Sequence, residues 1–166
     1  DLSVKRRRII QSQWYQQRWG GKETITTDVN IKTWFANNRE GSMRATSIGG
    51  SVTGIGGNYL IVDDPLKAEE VASTVKRQFA NDWFDHTFST RLNDRKKDAI
   101  IIIMHRIHID DLTGHLLKKK LEDEFSYEVL RLPMIETHNR IITYPVSGKQ
   151  KERKEGELLF PQKDGM

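Results

Sequence analysis

The sequence has no cysteine in its 166 residues, which excludes disulfide bonds and metal sites built on thiolates. It contains no apolar run that approaches the length of a membrane span, and no secretory signal stands at its start. Acidic residues are absent from positions 5–22, a stretch with six basic residues. The first two absences predict a soluble protein of a reducing compartment, and we expect it to be cytoplasmic.

The basic stretch is the main charge asymmetry, because the net charge of the whole chain is only +4. That excess is too small to require a nucleic-acid partner. We predict a helix over residues 3–19, with Arg6, Arg7 and Arg8 on its first turns. Such a run is usually a solvated face, and contact with nucleic-acid phosphates is the alternative. The same helix carries three aromatic residues that we predict to be core anchors rather than base-stacking platforms: Trp14, Tyr15 and Trp19.

Residues 59–65 are the most informative stretch, four apolar residues followed by two aspartates and a proline. An apolar run without polar alternation predicts a strand buried on both faces, as in the centre of a parallel sheet. Since proline cannot continue the strand ladder, Asp63 and Asp64 fall at the carboxyl edge, where open α/β folds bind ligands. Carboxylate oxygens are the ligands that Mg²⁺ prefers. The alternative is that the two aspartates only form a turn or cap the next helix.

A glycine-rich loop, residues 49–57, precedes this strand. A phosphate-binding P-loop follows its strand and ends in a lysine and a hydroxyl residue that open a helix. This loop has no lysine and lies on the other side of the strand, so we predict a flexible or tightly packed turn. Gly54 and Gly56 are its candidate positions for backbone contact with a nucleotide.

The remaining elements alternate between strands and helices. Residues 31–37 and 42–48 predict a β-hairpin, and residues 99–104 a second buried strand. A helix to about residue 92 is predicted from four apolar residues at every fourth position: Val71, Val75, Phe79 and Trp83. Another helix over residues 112–121 is capped by Asp110 or Asp111, residues 126–132 predict a strand, and an extended tail follows.

Two of these strands end in polar residues, Asp63-Asp64 on one and His105-Arg106 on the other. Neighbouring parallel strands bring their carboxyl ends to the same edge of a sheet, so we expect these side chains to form one site.

The order of motifs resembles the large subunit of phage terminases, the ATPase that drives DNA into viral capsids. The stretches that carry the resemblance are residues 12–15, 49–57, 60–65, 83–92, 100–112 and 156–161. The aspartate pair alone is a weak motif. Together with the strand and the Arg-x-His-x-Asp-Asp-Leu block that begins at Arg106, it is fairly specific.

The resemblance implies a role for each site residue. Asp63 is the Walker B carboxylate that holds Mg²⁺ through water, and Asp64 orients or deprotonates the water that attacks ATP. His105 and Arg106 lie near the terminal phosphate as a sensor. Arg91 is a candidate arginine finger or coupling residue, with a surface cation at a helix end as the alternative.

The resemblance also implies a fold and partners. Residues 1–133 are expected to be the second half of a three-layer, P-loop-NTPase-like (ASCE) ATPase domain, with a parallel sheet flanked by helices and an added β-hairpin. Residues 134–166 are expected to be a tail or linker. The Walker A loop and a nuclease domain are expected to lie outside the sequence, so we expect little ATP hydrolysis from this chain. The implied partners are double-stranded DNA, the portal protein, the small terminase subunit and further copies of the chain, in the cytoplasm of a bacterial host.

Two other functions fit part of the sequence. A metal-dependent nuclease or phosphoesterase would use a nitrogen- and oxygen-rich ligand set: His105, His108, Asp63, Asp64, Asp110 and Asp111. A non-enzymatic contact module for nucleic acid or the portal would use Arg6, Arg7 and Arg8 together with residues 149–154.

Overall fold

The structure is a computed structural model that describes residues 2–20, 34–37, 41–122, 127–144 and 146–161. It divides into two compact units, Asp1–Glu122 and Asp123–Met166.

The first unit begins with two helices where the sequence predicted one. Helices α1 (Leu2–Gln11) and α2 (Gln13–Trp19) are separated at Ser12, whose backbone is extended (φ −68°, ψ 149°). The Ser12 hydroxyl accepts a hydrogen bond from the Tyr15 amide, which makes Ser12 the N-cap of a new helix. Gly20 ends α2, as predicted.

The β-hairpin is confirmed within the described residues. Strands β1 (Trp34–Ala36) and β2 (Ser42–Arg44) are antiparallel, with Trp34 opposite Arg44. Residues 45–48, predicted as the outer part of the second strand, form no strand. Residues 31–33 of the first predicted strand and residues 38–40 of the turn lie outside the described residues.

The parallel pair of central strands is also confirmed. Strands β3 (Tyr59–Asp63) and β4 (Ala99–Ile103) are parallel neighbours, from Tyr59 opposite Ala99 to Asp63 opposite Ile103. The prediction that both faces are buried was wrong. Leu60 and Val62 are buried. The opposite face is exposed, and four large apolar residues lie on it: Tyr59, Ile61, Ile101 and Ile103.

The helix after β3 forms, but it buries a different face from the predicted one. Helix α3 (Thr74–Trp83) is capped by Ser73 and continues as a π turn (Phe84–Phe88) and a 3₁₀ turn (Ser89–Arg91). Val75 and Phe79 of the predicted stripe are 78% and 52% exposed. The buried face mixes polar and apolar residues: Arg77, Ala80, Asn81, Phe84 and Phe88. Because the prediction counted only apolar residues, it missed a face that Arg77 and Asn81 share.

Helix α4 (Leu112–Glu122) agrees with its prediction and buries Leu112 and Leu116. The core of the first unit also contains Val52 from the glycine-rich loop and Val71 from the segment before α3. Leu60 and Val62 of β3 belong to the same buried set, whereas the opposite face of the sheet, called the open face below, is exposed.

The second unit differs from the predicted strand and extended tail. Residues 127–132 form no strand, and Ser126 lies outside the described residues. Strands β5 (Arg140–Thr143) and β6 (Gln150–Arg153) form an antiparallel hairpin. Among the described residues of the second unit, two are buried, Glu136 and Arg153. Their side chains form an ion pair at 4.0 Å. Arg153 also pairs with Glu157 at 3.0 Å, so a charged cluster takes the place of an apolar core.

Within the described residues the chain is a mixed α/β protein with four α-helices and three two-stranded sheets, one of them parallel. None of its described helices combines the length and apolar composition that crossing a membrane requires. The three-layer, P-loop-like architecture stays a prediction.

Candidate functional site

The parallel pairing of β3 and β4 brings two predicted site residues together. The Asp64 amide donates to the Ile103 carbonyl at 2.9 Å, which extends the ladder one residue past β3. The Asp64 carboxylate accepts from the His105 amide at 3.1 Å, and His105 Nδ1 lies 3.4 Å from the same oxygen, Oδ1. Asp64 and His105, 41 residues apart in sequence, therefore form one group at the carboxyl edge of the sheet.

Asp64 has a strained backbone. Its φ is 40°, and it is the one non-glycine residue with positive φ among those described. Such a conformation costs about 1–3 kcal/mol. The pair with His105 offsets little of this cost, because the Asp64 and His105 side chains are 53% and 86% exposed and exposed ion pairs contribute at most about 1 kcal/mol. Backbone strain that local contacts do not offset is typical of functional sites.

Asp63 lies on the open face of the sheet. It follows Tyr59 and Ile61 along that face, since strand residues alternate between faces. Within the described residues, no hydrogen bond or ion pair engages its carboxylate. Both of its oxygens can therefore accept a water molecule or a cation without breaking a protein contact.

The carboxylate that Arg106 binds is Asp111, not Asp63 or Asp64. Arg106 Nε donates to Asp111 Oδ2 at 3.0 Å. The same carboxylate accepts from the amides of Ile107, His108 and Gly114 at 3.3, 3.4 and 2.9 Å. Asp111 is fully buried, so this single carboxylate caps α4 and fixes the loop after β4. The sequence identified Asp111 as a possible cap but gave no sign that it binds Arg106.

Gly114 makes that loop compact. A Cβ at this position would lie 1.8 Å from the carbonyl oxygen of Ile109, closer than any side chain permits. The loop therefore lies directly against the first turn of α4.

The proposed histidine and aspartate metal set is not assembled. His108 Nδ1 accepts from the Asp110 amide at 3.0 Å, and Asp110 binds Lys118. The hydrogen bond from Lys118 to the Asp110 carboxylate lowers the pKa of Asp110. Among the described residues, no three histidine, aspartate or glutamate side chains are grouped so that they could hold a metal ion.

The end of the glycine-rich loop contacts the backbone of Arg91. The amide of Gly57 donates to the carbonyl of Arg91 at 2.9 Å. A Cβ at Gly56 would lie 2.0 Å from Asn93 Oδ1, so a larger residue here would require the Asn93 side chain to move. Gly54 has a φ of 72° and open space around it, which leaves its backbone accessible.

The Arg91 guanidinium donates to the Thr87 carbonyl and the Thr90 hydroxyl within its own turn, the arrangement expected of a helix-end cation.

The three arginines predicted to bind nucleic acid lie on α1. Arg8 is exposed, and Arg6 and Arg7 are half-buried. Arg6 Nη1 also contacts the Met43 sulfur at 3.3 Å, which links α1 to strand β2.

A second ionic cluster joins the π turn to α4, and nothing in the sequence indicated it. Asp85 Oδ2 lies 2.8 Å from both His115 Nε2 and Lys119 Nζ. Burial raises the pKa of Asp85, but the hydrogen bonds from Lys119 and His115 outweigh this effect and hold the pKa below its usual value. These residues are about 30 positions apart and belong to no local motif.

No protein-family model, no curated protein and no solved structure matched the chain.

Replacing Asp111 with alanine should lower the free energy of unfolding by about 3 kcal/mol, because a buried partner of Arg106 and the cap of α4 are both lost. Urea titrations followed by tryptophan fluorescence measure the loss. Asp110→Ala is the matched control, since the neighbouring Asp110 carboxylate is half-exposed and its hydrogen bond is to the exposed Lys118. Equal losses in the two variants would contradict the central role of Asp111.

Asp85 should make stability depend on pH. Its pKa is lower in the folded state, so its contribution is complete above the unfolded value of about 4 and disappears as the pH falls through the folded value. The difference in unfolding free energy between the parent and Asp85→Asn should therefore shrink as the pH falls below about 4. Asp82→Asn, an exposed change on α3, is the control. A difference that stays constant down to acid pH would contradict the assignment.

Proposed function

We propose that the chain carries the Walker B site of an ATPase that packages double-stranded DNA into a viral capsid, of the kind found in terminase large subunits. The observation that carries this proposal is the group at the end of β3, where a strained Asp64 binds His105 from the loop after the neighbouring strand. Among the described residues, none engages the Asp63 carboxylate. Two adjacent carboxylates in different environments suit two different roles.

Asp63 is the metal ligand in this proposal. Its carboxylate fits the role because no described protein group occupies it, and Mg²⁺ bound there through water would neutralise charge on the phosphates of ATP. Asp64 orients the attacking water with the oxygen that His105 leaves free, Oδ2. The His105 amide and ring hold the Asp64 carboxylate in one orientation, which is what a positioned base requires.

The open face of the parallel sheet supports the same proposal. Parallel sheets are covered on both faces, and two strands alone are marginal in water. Here one face is exposed and, among the described residues, neither strand pairs with any third strand. In this proposal, further parallel strands would extend the sheet at its edges, their connecting helices would cover this face, and a P-loop at the end of one of those strands would bring phosphates beside Asp63.

The nuclease alternative has less support, because the described part of the chain assembles no group of three metal-binding side chains. Arg106 and Arg91 keep their proposed sensor and finger roles only if nucleotide or a partner draws them away from Asp111 and Thr87. Double-stranded DNA, the portal protein and the small subunit remain proposed partners of the complete motor.

The isolated chain should hydrolyse ATP little or not at all, because the glycine-rich loop has no lysine to bind the β- and γ-phosphates. Phosphate release from Mg²⁺-ATP measures this. Turnover at the rate of an ordinary ATPase, abolished by Asp64→Ala, would show that the loop does bind phosphates.

In a protein that also supplies a P-loop, the two aspartates should fail in different ways. Asp63→Asn should weaken Mg²⁺-nucleotide binding as well as hydrolysis. Asp64→Asn should leave binding nearly intact while turnover falls about a hundredfold, the usual effect of losing a positioned base. Nucleotide titrations and steady-state turnover separate the two effects, with Asp82→Asn as the surface control. Hydrolysis at the parent rate by Asp64→Asn would contradict the proposal.

A further inference from the structure

Helix α2 presents an aromatic and basic surface that the proposed function does not use. None of its residues is buried, although three of its seven are aromatic. Trp14 and Trp19, predicted as core anchors, are 53% and 51% exposed. Exposed tryptophans in contact with each other mark an interaction surface more often than a solvated one.

The rings form one cluster. The Trp14 and Trp19 rings meet edge to face at 5.3 Å, and the Tyr15 ring lies 5.0 Å from that of Trp19. The Arg18 guanidinium lies 4.9 Å from the centre of the Trp14 ring, and its Nη1 donates to the Trp14 carbonyl at 3.2 Å. A cation therefore lies over the Trp14 ring, within a cluster whose two tryptophans are half-exposed.

The charge around this cluster selects an anionic partner. Residues 2–20 carry five basic side chains and no acidic one. Lys5, Arg8 and Arg18 are exposed. These basic side chains would attract a polyanion along both helices. They would attract a protein surface of mixed charge much less.

We propose that α2 binds single-stranded nucleic acid, with bases stacked on Trp14 and Trp19 and the backbone phosphates held by Arg18 and the exposed cations of α1. Aromatic platforms beside basic side chains are the general means of binding single strands without sequence preference. A duplex offers no free base faces, so it would use the cations alone. Tryptophan beside basic side chains also suits an anionic membrane surface, so vesicles are one arm of the test below.

The test is fluorescence anisotropy of labelled oligothymidine of about twelve nucleotides, without Mg²⁺ or nucleotide, compared with a duplex of equal length. The parent should prefer the single strand, and its tryptophan fluorescence should be quenched on binding. Trp14→Ala combined with Trp19→Ala should weaken single-strand binding by about tenfold or more and leave duplex binding unchanged. Tyr144→Ala, a change of an exposed ring in the second unit, is the matched control and should bind as the parent does.

Two further variants separate stacking from charge and from misfolding. Trp14→Phe combined with Trp19→Phe should keep most of the affinity and lose most of the quenching, because a ring face remains. Arg18→Ala should reduce the slope of log affinity against log salt by about 0.7, the value for one phosphate contact on a single strand.

The proposal is overturned if the alanine variant, shown to be folded by circular dichroism, binds the single strand as the parent does. It is also overturned if vesicles of equal parts phosphatidylcholine and phosphatidylserine bind the chain while the oligonucleotide does not. Because the assay contains neither Mg²⁺ nor ATP, its outcome is independent of the Asp63 and Asp64 assignments.

Discussion

The hydrogen bond from the Asp64 amide to the Ile103 carbonyl is the contact on which the site depends. It continues the parallel ladder one residue beyond β3, and the chain then turns through a left-handed conformation at Asp64 itself. This places His105, the second residue after β4, where it can bind the Asp64 carboxylate. If these two strands were shifted by one residue, Asp63 would exchange faces with its neighbours and the two carboxylates would lose their distinct environments.

The loop after β4 is also fixed by contacts at its other end, next to α4. Asp111, fully buried, binds Arg106 and three backbone amides while it caps α4, and Gly114 allows the loop to lie directly on that helix. The Asp85 cluster then ties the far side of α4 to the π turn after α3. The exposed side chains at the carboxyl edge, Asp63 and His105, therefore stand on segments whose backbone is fixed by these contacts, which is the arrangement that a binding site for a charged ligand needs.

Local patterns in the sequence predicted much of this frame but little of its packing. The apolar runs of β3 and β4, the cap of α4 and the alternation of elements gave the parallel pair and the meeting of Asp64 with His105. The buried face of α3 was missed because Arg77 occupies it. A buried arginine needs hydrogen-bond partners, here the Val71 carbonyl and the Thr74 hydroxyl, and an apolar periodicity does not reveal them. The exposure of Trp14 and Trp19, and the charged core around Arg153, depend likewise on what surrounds each residue rather than on its type.

Paramagnetic broadening tests directly the proposal that the end of β3 holds a metal ion with nucleotide. Mn²⁺ and ATP titrated into the isotopically labelled chain should broaden the amide signals of Asp63, Asp64 and His105 before any others, and Asp63→Asn should remove this selectivity. Broadening that begins around His108 and Asp110, or that is the same in the parent and in Asp63→Asn, would contradict the claim.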